Sequence, residues 1–311
     1  MTQSLTIYSP SGVFRDGAQL RRAAKYLTSL GFDAQLDASA LARQQRFAGS
    51  DEERLAAIHR VADSGVAVAL AARGGYGLTR LLDGIDWARL AASVARGTCW
   101  VGMSDITALQ LGLLAHAKGC GVTWQGPLAG DDFGRTAAQG GVDDITEACF
   151  LEAMHEELEA IGFRESGAAR GTQPHAGFEA EGLLWGGNLS MVCSLLGTQH
   201  WPKIRGGILF LEEISEHPYR VERMLLQLQQ AGVLDAQKAI LLGDCGGWVV
   251  SPNDNGYKLK DALAAVQARI KPPILQGLPF GHVRTKVCLP VGAKAQLVVQ
   301  GREVLLAWGH V

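Results

Sequence analysis

Three places in this 311-residue chain put a reactive polar side chain where an apolar run stops. Ser104 closes TCWVGMS and is followed at once by Asp105 and a helical apolar pattern of Ala108, Leu109, Leu113 and Leu114. Glu212 and Glu213 close GILFLEE, and His282 follows a glycine in LPFGHVRTK, a loop between apolar segments. Serine, carboxylate and imidazole are the groups of acyl transfer. The ring takes the hydroxyl proton, the alkoxide attacks a carbonyl, and the carboxylate orients the ring. The order Ser, acid, His is that of the α/β-hydrolases, although Ile106 stands where the G-x-S-x-G elbow has its second glycine.

Each group also has a plainer reading. Ser104 serves equally as a helix N-cap or a turn residue, the paired acids as a solvated strand edge, and the histidine as a solvated loop residue. His59, His116, His155 and His310 fit helix or tail positions; His175, His200 and His217 are loop residues that compete less well. An oxyanion needs donors, and Arg73-Gly74-Gly75-Tyr76-Gly77 supplies a run of backbone N–H groups. A tight turn needing positive φ explains the same glycines. The lysine of a phosphate loop is missing.

The elements that must hold these residues alternate. Strands at Leu5–Tyr8, GFDAQL, GVAVALAA, TCWVG and GVTWQGP are separated by helical stretches, one from about Gln19 to Leu30 and one opened by Ser50 with Glu53 as a capping box. This predicts a doubly wound, mainly parallel α/β domain over residues 1–135 carrying the nucleophile. Residues 136–175 read as a linker region with a helix from Asp143 to Leu158, the stretch RESGAARGTQPHAGFEAEG being polar and glycine-rich. Residues 176–311 form a smaller β-rich α/β domain carrying the acid and base, with helices at about Leu189–Leu196, Tyr219–Ala231 and Lys258–Ile270 and Pro218 in the first turn of the second.

Composition narrows the function. A net charge of −2 gives no electrostatic case for nucleic acid or an anionic membrane, and no apolar run reaches the length of a membrane span. The start, MTQSLTIYSPSG, lacks a secretory pattern, so a cytoplasmic protein is expected. Cys99, Cys120, Cys149, Cys193, Cys245 and Cys288 are dispersed without C-x-x-C spacing, so neither a metal site nor disulfides are expected.

Taken together, YSPSG (8–12), ARGGYG (72–77), GMSDITAL (102–109), GGNLS (186–190), LFLEE (209–213), PYRVERML (218–225) and GLPFGH (277–282) resemble the muropeptide L,D-carboxypeptidases of bacteria, serine peptidases of murein recycling. The microcin C self-immunity protein belongs to the same family. The resemblance runs over nearly the whole chain. It implies Ser104 as nucleophile, Glu212 as acid with Glu213 where aspartate is frequent, His282 as base, and the backbone N–H groups of Gly75 and Asp105 as the oxyanion hole. It further implies an active site between two domains, a homodimer, no cofactor, and release of the terminal D-alanine from a muropeptide tetrapeptide at the L-centre of its diamino acid. Arg73, with Gly74 beside it, is expected to bind a substrate carboxylate. The segment 131–178 departs from better-known members. Two other readings stand beside this one. One is an immunity-type hydrolase of peptidyl or aminoacyl adenylate analogues, with Trp124, Trp185, Trp201 and Trp248 available as a platform for the base. The other is a non-catalytic ligand-binding protein, disfavoured because all three triad positions carry competent side chains.

Overall fold

A computed structural model describes residues 2–117, 119, 121–166 and 175–311. Cys120 and residues 167–174 of the stretch read as a polar linker lie outside the described residues. In chain order the strands are β1 (Gln3–Tyr8), β2 (Phe32–Leu36), β3 (Val68–Ala71), β4 (Cys99–Val101), β5 (Thr123–Gln125), β6 (Ala160–Arg164), β7 (Glu179–Asn188), β8 (Ile208–Glu212), β9 (Ala239–Leu242), β10 (Ile274–Gln276), β11 (Leu289–Val291), β12 (Lys294–Gln300) and β13 (Glu303–Ala307). The α-helices are α1 (Gly17–Ser29), α2 (Asp51–Asp63), α3 (Trp87–Ala95), α4 (Thr107–His116), α5 (Asp144–Met154), α6 (Leu189–Leu195), α7 (Pro218–Gln230) and α8 (Leu259–Gln267).

The first compact unit comprises Met1–Glu157, Gly197–Pro202 and Arg284–Val291. Its sheet has the order β11-β5-β4-β3-β1-β2, parallel except for β11. All four residues of β3 are buried, as expected of a strand covered on both faces. The chain passes from β1 outward to β2, then returns to β3 on the other side of β1. That reversal is a topological switch point, and in such sheets ligands bind beyond the carboxyl ends of the strands there. The loops leaving β1 and β3 are bonded to each other through Gly12 N–H and Gly74 C=O at 3.2 Å. The Ser50–Glu53 capping box forms in both directions.

The second unit comprises Leu158–Leu196, Lys203–Val283 and Gly292–Val311. Its seven strands run β10-β9-β8-β7-β12-β13-β6, with β7 to β10 parallel and β12, β13 and β6 antiparallel. β7 serves both halves, pairing with β12 over Glu179–Leu183 and with β8 over Leu184–Asn188. On α7, Val221, Leu225 and Leu228 recur at helical spacing and are buried, and Pro218 opens the helix.

Three strands were not expected from the sequence. β6 (AIGFR) buries only Ile161 and Phe163 on either side of a glycine, β10 is three residues long, and β11 contains Pro290, which lacks the N–H a central strand needs; β11 accordingly lies at the sheet edge. The unit boundaries also differ from the expected 135 and 176. α5 belongs to the first unit, β6 to the second, and residues 284–291 return to the first. That return is fixed by side chains no apolar pattern reports. Thr285 Oγ1 donates to Asp143 at 2.8 Å, Lys286 N–H to Thr146 Oγ1 at 2.9 Å, and the buried Lys286 ammonium pairs with buried Asp132.

Candidate active site

Ser104 stands between the end of β4 and the start of α4 with φ of 64°, in the left-handed region that side chains other than glycine and asparagine rarely occupy. An N-cap residue is extended instead, and neither α4 nor the single 3-10 turn that precedes it has a side-chain cap. Ser104 is therefore a strained strand-to-helix residue and not a cap. Two glycines make room for it. A Cβ on Gly102 would lie 2.9 Å from the Ala71 Cβ and 3.0 Å from Ile106 Cγ1, so glycine is needed before the serine while Ile106 fits after it. A Cβ on Gly74 would lie 2.6 Å from both Cβ and Oγ of Ser104. The glycine loop thus brings its backbone directly against the hydroxyl, with Gly75 itself at φ 85°.

Asp105, the next residue, is buried and braces the turn. Its Oδ2 accepts from Ser11 Oγ and from Leu78 N–H, each at 2.7 Å, so one carboxylate ties the β1 loop and the far side of the glycine loop to the serine turn. Burial pushes its carboxyl up, opposed by those two bonds and by the charge of Arg54. Arg54 is fully buried, donates to the carbonyls of Pro10 (2.9 Å) and Gly77 (3.0 Å), and pairs with Asp51. From the sequence, Ser11 and Arg54 had no expected role, and Asp105 had one only through its backbone N–H, not through this carboxylate. Arg73 directs one guanidinium nitrogen to Val13 C=O at 3.0 Å, and its buried Nε has no hydrogen-bond partner among the described residues.

In the second unit the acids that close β8 are not a solvated edge, being 0% and 3% exposed. Glu212 Oε2 lies 2.8 Å from His282 Nδ1. With the carboxylate ionised, Nδ1 carries the proton and Nε2 is left as the acceptor. The parallel register sets Asn188 beside Glu212, and Asn188 Nδ2 donates to Glu212 Oε1 and to Glu213 Oε1, both at 3.1 Å. Asn188 Oδ1 accepts from Met191 N–H at 3.1 Å as the cap of α6, which fixes the amide with its NH₂ toward the acids. Glu213 is further held by Ser190 N–H (2.8 Å), Ser190 Oγ (2.6 Å) and Ile214 N–H (2.9 Å). Gly281, at φ 136°, would place a Cβ 3.3 Å from Glu212 Oε2, so the residue before His282 has little room for a side chain. Asn188 was quoted in GGNLS but given no role; only the register reveals one.

The structure thus gathers Ser104, Asp105, Arg73, Gly74 and Gly75 in one unit and Glu212 with His282 in the other. Among the competing histidines, His175 also meets a buried acid, Glu165, at 2.7 Å, but Glu165 Oε2 has no hydrogen-bond partner among the described residues. His200 lies between Asp83 and His116, 2.9 Å from each. Of the tryptophans offered as a platform, Trp124 and Trp185 are buried, and Trp185 Nε1 is bonded to Gln237, so neither can stack a ligand. Among the described residues no cluster of three or more metal-ligating side chains occurs, and no helix is long and apolar enough to cross a membrane.

The LD-carboxypeptidase N-terminal domain family matches residues 5–125 and the C-terminal domain family residues 181–297. The chain is 32% identical, over 94% of its length and 88% of the other's, to a probable murein peptide carboxypeptidase of Bacillus subtilis. It superposes on the crystal structure of a muramoyltetrapeptide carboxypeptidase from Oxalobacter formigenes with a TM-score of 0.87, 38% identity and 99% of both chains covered. It is also 26% identical to the microcin C7 self-immunity protein MccF of Escherichia coli, over 74% of this chain and 71% of that one. The chain belongs to the LD-carboxypeptidase family and is a serine-type carboxypeptidase, a hydrolase of peptide bonds.

Proposed function

We propose that the chain releases the terminal D-alanine of murein tetrapeptides through an acyl-enzyme on Ser104, with His282 as base and Glu212 as its orienting acid. The observation that carries this reading is the Glu212–His282 bond of 2.8 Å on a carboxylate buried beside Asn188, together with the strained setting of Ser104. Nε2 of His282 takes the Ser104 proton, the alkoxide attacks the scissile carbonyl, and the protonated ring returns that proton to the departing amine of D-alanine. Water, deprotonated by the same nitrogen, then cleaves the ester to give tripeptide and regenerate the serine. The N–H groups of Gly75 and Asp105 hold the oxyanion, and the guanidinium of Arg73 meets the terminal carboxylate.

The wider reading is a part in murein recycling, supported by the relatives named for murein peptides, with a cytoplasmic homodimer as what the family resemblance implies. The test is hydrolysis of a muropeptide tetrapeptide beside an aminoacyl sulfamoyl adenosine. Ser104→Ala should fold as the wild type and lose several orders of magnitude of turnover on the tetrapeptide. Preference for the adenosine substrate would assign an immunity-type hydrolase instead, and more than about a tenth of wild-type activity in Ser104→Ala would remove the serine from the mechanism.

A further inference from the structure

In the second unit, the loops after β8 and β9 enclose a cavity of about 540 Å³ lined by His217, Tyr219, Ser251, Asn253, Asp254 and Tyr257. We propose that it binds an organic cation, an ammonium group on a slender alkyl chain. Its charge is one-sided: Asp254 is the one carboxylate in the lining, and neither lysine nor arginine contributes to it. The Asp254 side chain is only 7% exposed. Its Oδ2 accepts from Ser251 N–H at 2.6 Å, while Oδ1 faces His217 Nδ1 at 3.6 Å, too long for a hydrogen bond. That ring nitrogen is buried and has no hydrogen-bond partner among the described residues. A carboxylate oxygen and an imidazole nitrogen facing one another across a gap call for a donor with several N–H bonds, which an ammonium is.

The walls suit the same guest. The Tyr219 ring is 5.4 Å from the His217 ring, and Trp248 backs the imidazole at 5.6 Å. Tyr257 donates its hydroxyl to Glu222, which holds its ring in the wall, and burial first and that carboxylate second push its pKa up. Aromatic faces around a buried acid attract a cation through both charge and quadrupole. Tyr219, although 50% exposed, stands at the first turn of α7 behind Pro218. His217 makes no side-chain cap to α7, which leaves its ring to the cavity. Of the two cations adjacent in sequence to the lining, Arg220 is paired with Glu216, and Lys258, which follows Tyr257, does not line the cavity. The two loops are joined by Glu213 N–H to Asp244 C=O (2.9 Å) and Ser215 N–H to Gly246 C=O (2.8 Å), so the site is preformed.

Nα-acetyl-lysine methylamide is the probe, compared with its Nε-acetylated, uncharged form by titration calorimetry on the full chain. The charged probe should bind at least about tenfold more tightly than the neutral one. Asp254→Asn, which keeps an acceptor for Ser251 N–H, should remove about tenfold of that affinity, and Tyr219→Leu about three- to fivefold, with melting temperatures near the wild-type value. Equal affinity for the two probes, or affinity unchanged in both variants, overturns the proposal. So does absence of binding at about 50 mM, or preferential binding of a neutral sugar such as N-acetylglucosamine. Once binding is seen, competition identifies its source. A probe that raises KM for a lysine-containing tetrapeptide marks the cation as part of the substrate, and one that leaves KM unchanged marks a separate small amine.

Discussion

Gly74→Ala tests whether the glycine loop exists to let backbone approach Ser104, the proposed nucleophile. The new Cβ would sit 2.6 Å from Cβ and Oγ of Ser104, and carbon atoms settle at about 3.5–4.0 Å, so about 1 Å of separation has to be found. Gly74 is not among the glycines with positive φ, so alanine meets no backbone penalty and the whole effect is the collision. Both sides of the contact are held. The loop is tied by Ala72 N–H to Tyr8 C=O (2.8 Å) and Gly12 N–H to Gly74 C=O (3.2 Å), and the serine turn by the two bonds to Asp105. Rotation about χ1 moves Oγ of Ser104 but not its Cβ, so relief requires a shift of the serine turn or the loop that displaces the hydroxyl. Displacing a reacting atom by about 1 Å costs about a hundredfold, or about 2.7 kcal/mol of barrier, while overpacking removes about 1–3 kcal/mol of stability. The assay is kcat/KM on a tetrapeptide with the urea midpoint measured in parallel. Gly162→Ala is the control, since its Cβ would meet nothing closer than Val304 O at 3.9 Å, and both readings should stay at wild type. If Gly74→Ala keeps more than about a third of kcat/KM, the close approach does not position Ser104 and the loop's proposed role fails.

Asn188→Leu removes the donor shared by two buried acids, and should cost about 1–3 kcal/mol by urea unfolding together with a fall in kcat; an unchanged midpoint would mean the acids do not need it. His282→Ala removes the proposed base and should cost at least about a hundredfold in kcat/KM; a loss below about tenfold would place the base elsewhere. For Asp143, burial raises the carboxyl pKa, but bonds from Thr146 and Thr285 and the charge of Arg284 outweigh it and leave it below the ordinary 3.8. Its stabilisation is therefore full above that value and lost as pH falls through the lower folded value. The stability deficit of Asp143→Asn should accordingly be constant at neutral pH and close below about pH 4. A deficit that persists unchanged at pH 2 would show that charge is not its source.

What was legible in the sequence was the type and address of each reactive group: a serine, an acid and a histidine, each where an apolar run stops. What was not legible was register. Asn188 reaches Glu212 because β7 and β8 pair in parallel with those two residues opposite each other, and continuous apolar runs such as LLW and ILFL carry no alternation from which a register could be read. The return of residues 284–291 to the first unit was hidden for a similar reason. It rests on Thr285, Lys286 and an edge strand containing proline, a pattern that locally reads as loop.

The conformation of Ser104 is the point at which local rules mislead and the fold decides. A serine before a helix should be a cap, because extended backbone there lets its oxygen reach the free N–H groups at no steric cost. Here the backbone is left-handed instead, a choice that costs on the order of 1–3 kcal/mol and yields no capping bond in return. Such a residue persists only where its surroundings over-determine it. Gly102 leaves space between Ala71 and Ile106, Gly74 closes over the side chain, and Asp105 pins the turn to loops from β1 and β3 on the two sides of the switch point. Arg54 then secures both of those loops from beneath through Pro10 and Gly77. If capping were the purpose, none of this bracing would be needed and an extended serine would be more stable. The bracing instead keeps the Ser104 side chain against the backbone of the glycine loop, one strand from the switch point. A capping oxygen has no use for that position, and it is the one the nucleophile proposed here would need.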